Sequence, residues 1–156
     1  MKTMNAKDTN AGPAVVGRVI GLDLHPDVFS AAALSGRDAG TAQVVQNWDR
    51  WATPDLARWG RKLPAGDLVV LEATGNAFTA AEQLRACGVS CVVLETQKAG
   101  QIRSSYCTND RTDAVKLARI YLSGLAKYVW QPDEKTRERR EVWEDSVAGH
   151  CRFVRC

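Results

Sequence analysis

Residues 67–96 read "DLVVLEATGNAFTAAEQLRACGVSCVVLET", and this stretch decides the fold. It opens and closes on continuous apolar runs, "LVVL" and "CVVL", with none of the alternation of a half-solvated strand. Each reads as a central strand covered on both faces, the pattern of parallel sheets. Between them, "NAFTAAEQLRACG" reads as a helix closed by Gly88, a residue suited to the left-handed conformation past a helix end. Strand, helix and strand in this order make a βαβ unit, with its two strands parallel in one sheet.

Working outward, three short runs precede this unit: "VIGLDLH" (19–25), "DVFSAAAL" (27–34) and "TAQVVQNW" (41–48). Tight links such as "SGRDAG" join them, so they read as an antiparallel meander. "TPDLARWGRKLP" (53–64) follows as a helix, with Thr53 placed to cap it, Pro54 at its first position and Pro64 beyond its end. Downstream, "QKAGQIRSSY", "SSYCTNDRTDAVKLARIYLSGLA" (104–126) and "DEKTRERREVWED" read as helical. The order β-β-β-α-β-α-β-α predicts an α/β fold: a mixed sheet of three antiparallel strands continued by βαβ units, with helices on both faces.

The chain has 156 residues, 45% of them hydrophobic, which is enough for one core and too little for two. No run of eighteen apolar residues occurs, which excludes a membrane-spanning helix. The start, "MKTMNAKDTNAGPAVVGR", lacks the apolar segment of a secretory signal and reads as a loose leader over residues 1–17. Residues 18–130 are expected to form the domain, and 131–156 a charged helical start of a linker followed by an aberrant tail. The cysteines, Cys87, Cys91, Cys107, Cys151 and Cys156, are odd in number and form no CxxC pair. A reducing, cytoplasmic setting fits this better than a disulfide framework. "HCRFVRC" lacks the spacing of a zinc cluster.

Charge is uneven. Residues 98–140 carry ten basic and five acidic groups, while 1–97 and 141–156 are each net −1. The basic segment suits nucleic-acid phosphates, with Lys98, Arg103 and Arg111 as candidate contacts; a solvated helix face has the same composition.

Four carboxylates stand in awkward places. Asp23 interrupts an apolar strand, and a buried ionised carboxylate costs several kcal/mol unless paired or metal-bound, so either Asp23 sits at the strand's exposed end or it has a partner. Glu72 sits at the carboxyl end of a central strand, where α/β folds place ligand sites. In the helix of 104–126, the apolar stripe runs Ala114, Leu117, Ala118, Tyr121, Leu122, Leu125. Stepping back four residues from Ala114 and Leu117 gives Asp110 and Asp113, which are expected to continue that stripe inward. Helix-start capping accounts for one of them; two facing inward repel unless a cation lies between them. Oxygen ligands without nearby histidine or paired cysteine favour Mg²⁺ or Mn²⁺ over zinc. Two such ions, about 4 Å apart, hold the attacking and leaving oxygens of a phosphodiester displacement.

Together, "GLDLH", "LEATG" and "NDRTDAVKLA", in this order, resemble the DEDD transposases of the insertion-sequence-110 type. The N-terminal domain of that family is RuvC-like, in the ribonuclease H superfamily. The resemblance covers roughly residues 18–140 and places the tetrad on Asp23, Glu72, Asp110 and Asp113. It implies DNA as the substrate, two Mg²⁺ (or Mn²⁺) ions, a structured guide RNA and a homo-oligomer. It further implies strand cleavage and exchange in transposition. Pro26 departs from the basic or small polar residue usual near that position. "VWEDSVAGHCRFVRC" departs from the helical connection to a second, serine-bearing domain, so no nucleophile is carried onto Ser146. The expectation is a truncated or frameshifted copy. His25 beside the metals, and Thr74 with Gly75 at a phosphate, are further candidate positions, with a structural histidine and a plain strand-to-helix turn as the alternatives. The competing readings are a general RuvC-like junction nuclease, a non-catalytic nucleic-acid-binding remnant, and an actin-like ATPase. "GLDLHPD" lacks the small residues that loop around phosphates in the last of these.

Overall fold

A computed structural model describes residues 17–95 and 113–129. The expected leader up to residue 16, the helices over 97–106 and 133–145, Ser146, and the candidates Lys98, Arg103, Asp110 and Arg111 lie outside the described residues. The first strand, β1 (Val19–Leu24), turns tightly through His25–Asp27 into β2 (Val28–Ser35), with the His25 amide donating to the Val28 carbonyl. β3 (Gln43–Ala52) follows and runs four residues past the expected end, because it stays paired to β2 as far as Ala52 opposite Val28. A short 3-10 turn (Thr53–Asp55) leads into α1 (Leu56–Gly60). Then come β4 (Leu68–Glu72), α2 (Ala77–Ala86), β5 (Ser90–Leu94) and α3 (Asp113–Leu122).

The five strands form one sheet in the order β3-β2-β1-β4-β5. β1 pairs antiparallel with β2, and β2 with β3. β4 pairs parallel with β1 and with β5. This is the mixed sheet expected from the order of the elements. Residues 127–129 run beside the outer edge of β5, where the Glu95 amide bonds to the Lys127 carbonyl and the Val129 amide to the Val93 carbonyl. Among the described residues, the β3 edge has no such cover.

Alternation along β1 and β4 sorts the core into two layers. Ile20, Leu22, Val69 and Leu71 point to the face covered by α1 and α2, where Phe29, Leu56, Trp59 and Leu84 are buried with them. Val19, Leu68 and Val70 point to the opposite face, where Ala114, Val115, Ala118 and Ile120 of α3 close over them. Helices therefore lie on both faces of the sheet. The charged partner of Asp67, at the start of β4, is Arg18: its Nη2 donates to Asp67 Oδ2 at 2.6 Å, and Asp67 is almost wholly buried. The bidentate contact and the extra bond from the Arg18 amide satisfy a carboxylate that burial alone would destabilise.

Two local expectations change. Thr53 does not cap a helix; its hydroxyl donates to the His25 carbonyl at 2.9 Å and ties the end of β3 to the β1–β2 turn. Leu125 does not extend the stripe of α3, because the helix ends at Leu122 and Leu125 is 59% exposed. Val115 and Ile120 are buried instead, so the covered face is broader than a three-and-four stripe. Gly88 ends α2 as expected, with φ +83°.

Candidate active site

The site is built from the carboxyl ends of two adjacent parallel strands. The β1–β4 register pairs Leu22 with Leu71, and Asp23 and Glu72 are the next residue on each strand. Since Leu22 and Leu71 face α1 and α2, Asp23 and Glu72 face the other side, toward α3. Both are partly exposed, at the rim of the apolar layer rather than inside it. That resolves the awkwardness of a carboxylate in an apolar strand: the run is buried through Leu22 and opens to solvent at Asp23.

The direction of α3 brings the third carboxylate to the same end. Arg119, near the end of α3, donates to the carbonyls of Ala39 and Ala42, in the loop between β2 and β3. That loop lies at the amino end of β1, where Val19 pairs with Leu34. The beginning of α3 therefore lies toward the carboxyl end of β1. Gly21 sets the contact: a Cβ there would stand 1.7 Å from the carbonyl oxygen of Ala114, so only glycine allows the helix this close. Asp113, one residue earlier, starts the helix two strand residues from Asp23's position along β1.

Asp113 does not point inward as its stripe position implied. Its side chain is 57% exposed and Oδ1 lies 3.3 Å from Lys116 Nζ, three residues on. A carboxylate in the first turn of a helix gains from the helix dipole while staying in water, and Lys116 meets it there. Asp113 also begins the described part of α3, and Asp110 lies outside it. Among the described residues, no three His, Cys, Asp or Glu side chains converge closely enough to hold an ion.

His25 follows the strand, with Nε2 3.3 Å from Asp23 Oδ2 and the ring largely exposed. Past Glu72 the chain turns through Thr74–Asn76 into α2, with the Ala77 amide bonded to the Thr74 carbonyl. A Cβ at Gly75 would meet nothing within 4 Å, so the space beside this turn is open. Asp23 and Glu72 supply oxygen donors only, on one face and at one end of the sheet, which suits a hard divalent cation in kind.

No family model matches the sequence, and no curated protein matches it. Among solved structures, RuvC of Thermus thermophilus superposes with a TM-score of 0.51 at 13% identity, covering 72% of this chain and 100% of RuvC. A Fowlpox virus resolvase bound to Holliday-junction DNA gives 0.47 at 12% identity, over 71% of this chain and 100% of the resolvase. Thermus thermophilus RuvC in complex with a Holliday-junction substrate gives 0.45 at 11% identity, over 72% of this chain and 99% of that one. The first of these likenesses, with the strand order above, shows a RuvC-like fold of the ribonuclease H type. Among the described residues, no helix is long and apolar enough to cross a membrane.

Proposed function

We propose that this chain is a divalent-metal-dependent domain that cleaves DNA strands, and more narrowly the catalytic domain of a transposase of the insertion-sequence-110 type. The observation that carries the reading is the placement of Asp23 and Glu72 just past the last paired residues of β1 and β4, with α3 seated over Gly21 beside them. The ordered segments "GLDLH", "LEATG" and "NDRTDAVKLA" support the narrower form.

In this reading Asp23, Glu72, Asp110 and Asp113 hold two Mg²⁺ or Mn²⁺ ions. When bound, such ions lower the pKa of an attacking water or hydroxyl and stabilise the departing oxyanion. The chain's own contribution is placement. The sheet fixes Asp23 and Glu72 rigidly, and α3 presents Asp113 from a helix locked to β1. His25 holds one oxygen of Asp23 and thereby orients the carboxylate. The open space at Gly75 lets a phosphate approach the backbone. Lys98, Arg103 and Arg111 contact DNA phosphates, and the family's guide RNA and homo-oligomer complete the assembly.

The test is Mn²⁺ titration followed by nicking of supercoiled plasmid, with and without guide RNA. Asp23→Asn, Glu72→Gln and Asp113→Asn are expected to lose Mn²⁺ affinity at least tenfold while keeping the native circular-dichroism spectrum. Unchanged Mn²⁺ affinity in these variants refutes the tetrad. Metal binding without nicking favours a non-catalytic nucleic-acid-binding domain.

A further inference from the structure

Three of the chain's five tryptophans, Trp48, Trp51 and Trp59, line one surface cavity of about 360 Å³, together with Arg18, Gln46 and Lys62. It lies on the α1–α2 face of the sheet, beside the edge strand β3, whereas the carboxylates lie on the α3 face. The cavity is therefore separate from the proposed cleavage site. We propose that it binds an unpaired nucleotide of a single-stranded nucleic acid, the base stacked on tryptophan and the phosphate drawn to Lys62. This rests on the nucleic-acid-cleaving reading above.

Packing alone accounts for Trp59, which is buried edge-on against Phe29 at 5.3 Å and against Trp48 at 5.4 Å. Trp48 and Trp51 pack against the same core but stay partly exposed at the cavity rim. Both carry a cation near the ring: Arg18 lies 5.9 Å from the Trp48 centroid and Lys62 5.8 Å from that of Trp51. Those distances are at the outer limit of cation–π attraction. The two cations differ in freedom. Arg18 is pinned by the buried Asp67 carboxylate and by Gln46 Oε1, so it forms a rigid wall. Lys62 is exposed and forms no ion pair among the described residues, so its ammonium is available to a phosphate.

Trp59 contributes a buried wall to the cavity. The Trp59 indole N–H is the buried side-chain polar group that finds no hydrogen-bond partner among the described residues. The volume lies near the lower end for small-molecule sites, which suits one nucleotide rather than a duplex. Stacking faces beside a mobile cation are how sequence-tolerant single-strand sites are built. A base paired within a duplex has no free face to offer them.

The experiment uses the full chain in EDTA, so that cations held by carboxylates play no part. Fluorescence anisotropy is recorded for a labelled 12-nucleotide oligo(dT) and for a blunt duplex of the same length. Trp51→Ala and Lys62→Glu are each expected to weaken oligo(dT) binding at least fivefold. Duplex binding by Trp51→Ala should stay within twofold, and its Mn²⁺ affinity, titrated separately without EDTA, should match the parent. Lys62→Glu guards against misfolding, since Lys62 lies on the surface. Equal oligo(dT) binding in both variants and the parent overturns the proposal, as does an equal loss for duplex and single strand in Trp51→Ala. If pocket-dependent oligo(dT) binding persists where the tetrad variants leave Mn²⁺ affinity unchanged, the cleavage reading falls and this site stands.

Discussion

Gly21→Ala is the substitution in which the geometry makes its sharpest demand. In a strand, alanine is ordinarily better than glycine by about 0.5–1 kcal/mol, since glycine loses more backbone freedom on folding. Here the added Cβ would stand 1.7 Å from the Ala114 carbonyl oxygen and 3.0 Å from the Ala118 amide nitrogen. Both are backbone atoms of α3 and cannot swing aside as a side-chain end would. Ordinary contact begins near 3.4 Å, so the helix must retreat from β1 by more than an ångström. Ala114, Val115, Leu117, Ala118 and Ile120 are buried on α3, and a retreat loosens all of them at once. Overpacking costs about 1–3 kcal/mol where side chains can adjust, and more where they cannot; a backbone clash belongs at or above the top of that range. The strain therefore exceeds the propensity gain several-fold. With a urea slope of about 1–2 kcal/mol/M for a domain of this size, a loss of about 3 kcal/mol lowers the midpoint by roughly 1.5–3 M. The assay is urea unfolding followed by far-ultraviolet circular dichroism, with Mn²⁺ titration of the still-folded protein. Loss of Mn²⁺ affinity should accompany the loss of stability, because α3 carries Asp113. A Gly21→Ala midpoint within 0.3 M of the parent would refute the close approach of α3 to β1, and with it the placement of Asp113.

The Arg18–Asp67 pair should respond asymmetrically. Arg18→Met strands a nearly buried carboxylate and is expected to cost about 3 kcal/mol, while Asp67→Asn leaves a guanidinium that still reaches water and should cost about half as much; equal midpoint shifts in urea would contradict this. Burial pushes the Cys91 thiol up to about 12, with the Arg85 charge only partly opposing it. The native state thus keeps the proton where the unfolded chain releases it, so the contribution of Cys91 to stability is complete below the ordinary thiol range and declines as pH rises from about 9 toward 12. At pH 8, iodoacetamide should label Cys91 only through unfolding, and a labelling rate on mass-spectrometric peptide mapping that is insensitive to added urea would show the thiol to be accessible. Thr41 and the Thr41 and Gly40 amides hold the Asp38 carboxyl below its ordinary value, so their support of the β2–β3 loop is present at neutral pH and fades as pH falls through the carboxylate range. An Asp38 titration by nuclear magnetic resonance that matches a model peptide would remove that role.

Much of the architecture was legible from local pattern. The uninterrupted apolar runs "LVVL" and "CVVL" marked strands with both faces covered, and α2 and α3 do lie on opposite sides of them. Gly88 marked the end of α2 because the backbone there needs a positive φ, a demand confined to one residue. The neighbouring placement of Asp23 and Glu72 was also within reach, since both stand one residue past the apolar part of parallel strands. Elsewhere, helical periodicity misread an end effect. Asp113 lies on the stripe by residue counting, but its side chain is exposed and pairs with Lys116 three residues on. Thr53 looked like a cap, yet an unrelated carbonyl 28 residues away claims its hydroxyl.

The sequence by itself determined which segments become strands and helices, the parallel βαβ unit, and the identity of the acidic residues. These follow from periodicity, glycine placement and the cost of burying a charge, all of which act over a few residues. Only the tertiary structure decided that Gly21 admits the backbone of α3, that Asp113 faces water, and that Trp48, Trp51 and Trp59 share one cavity. Each of these depends on how separate segments approach one another, a distance that no local spacing along the chain encodes.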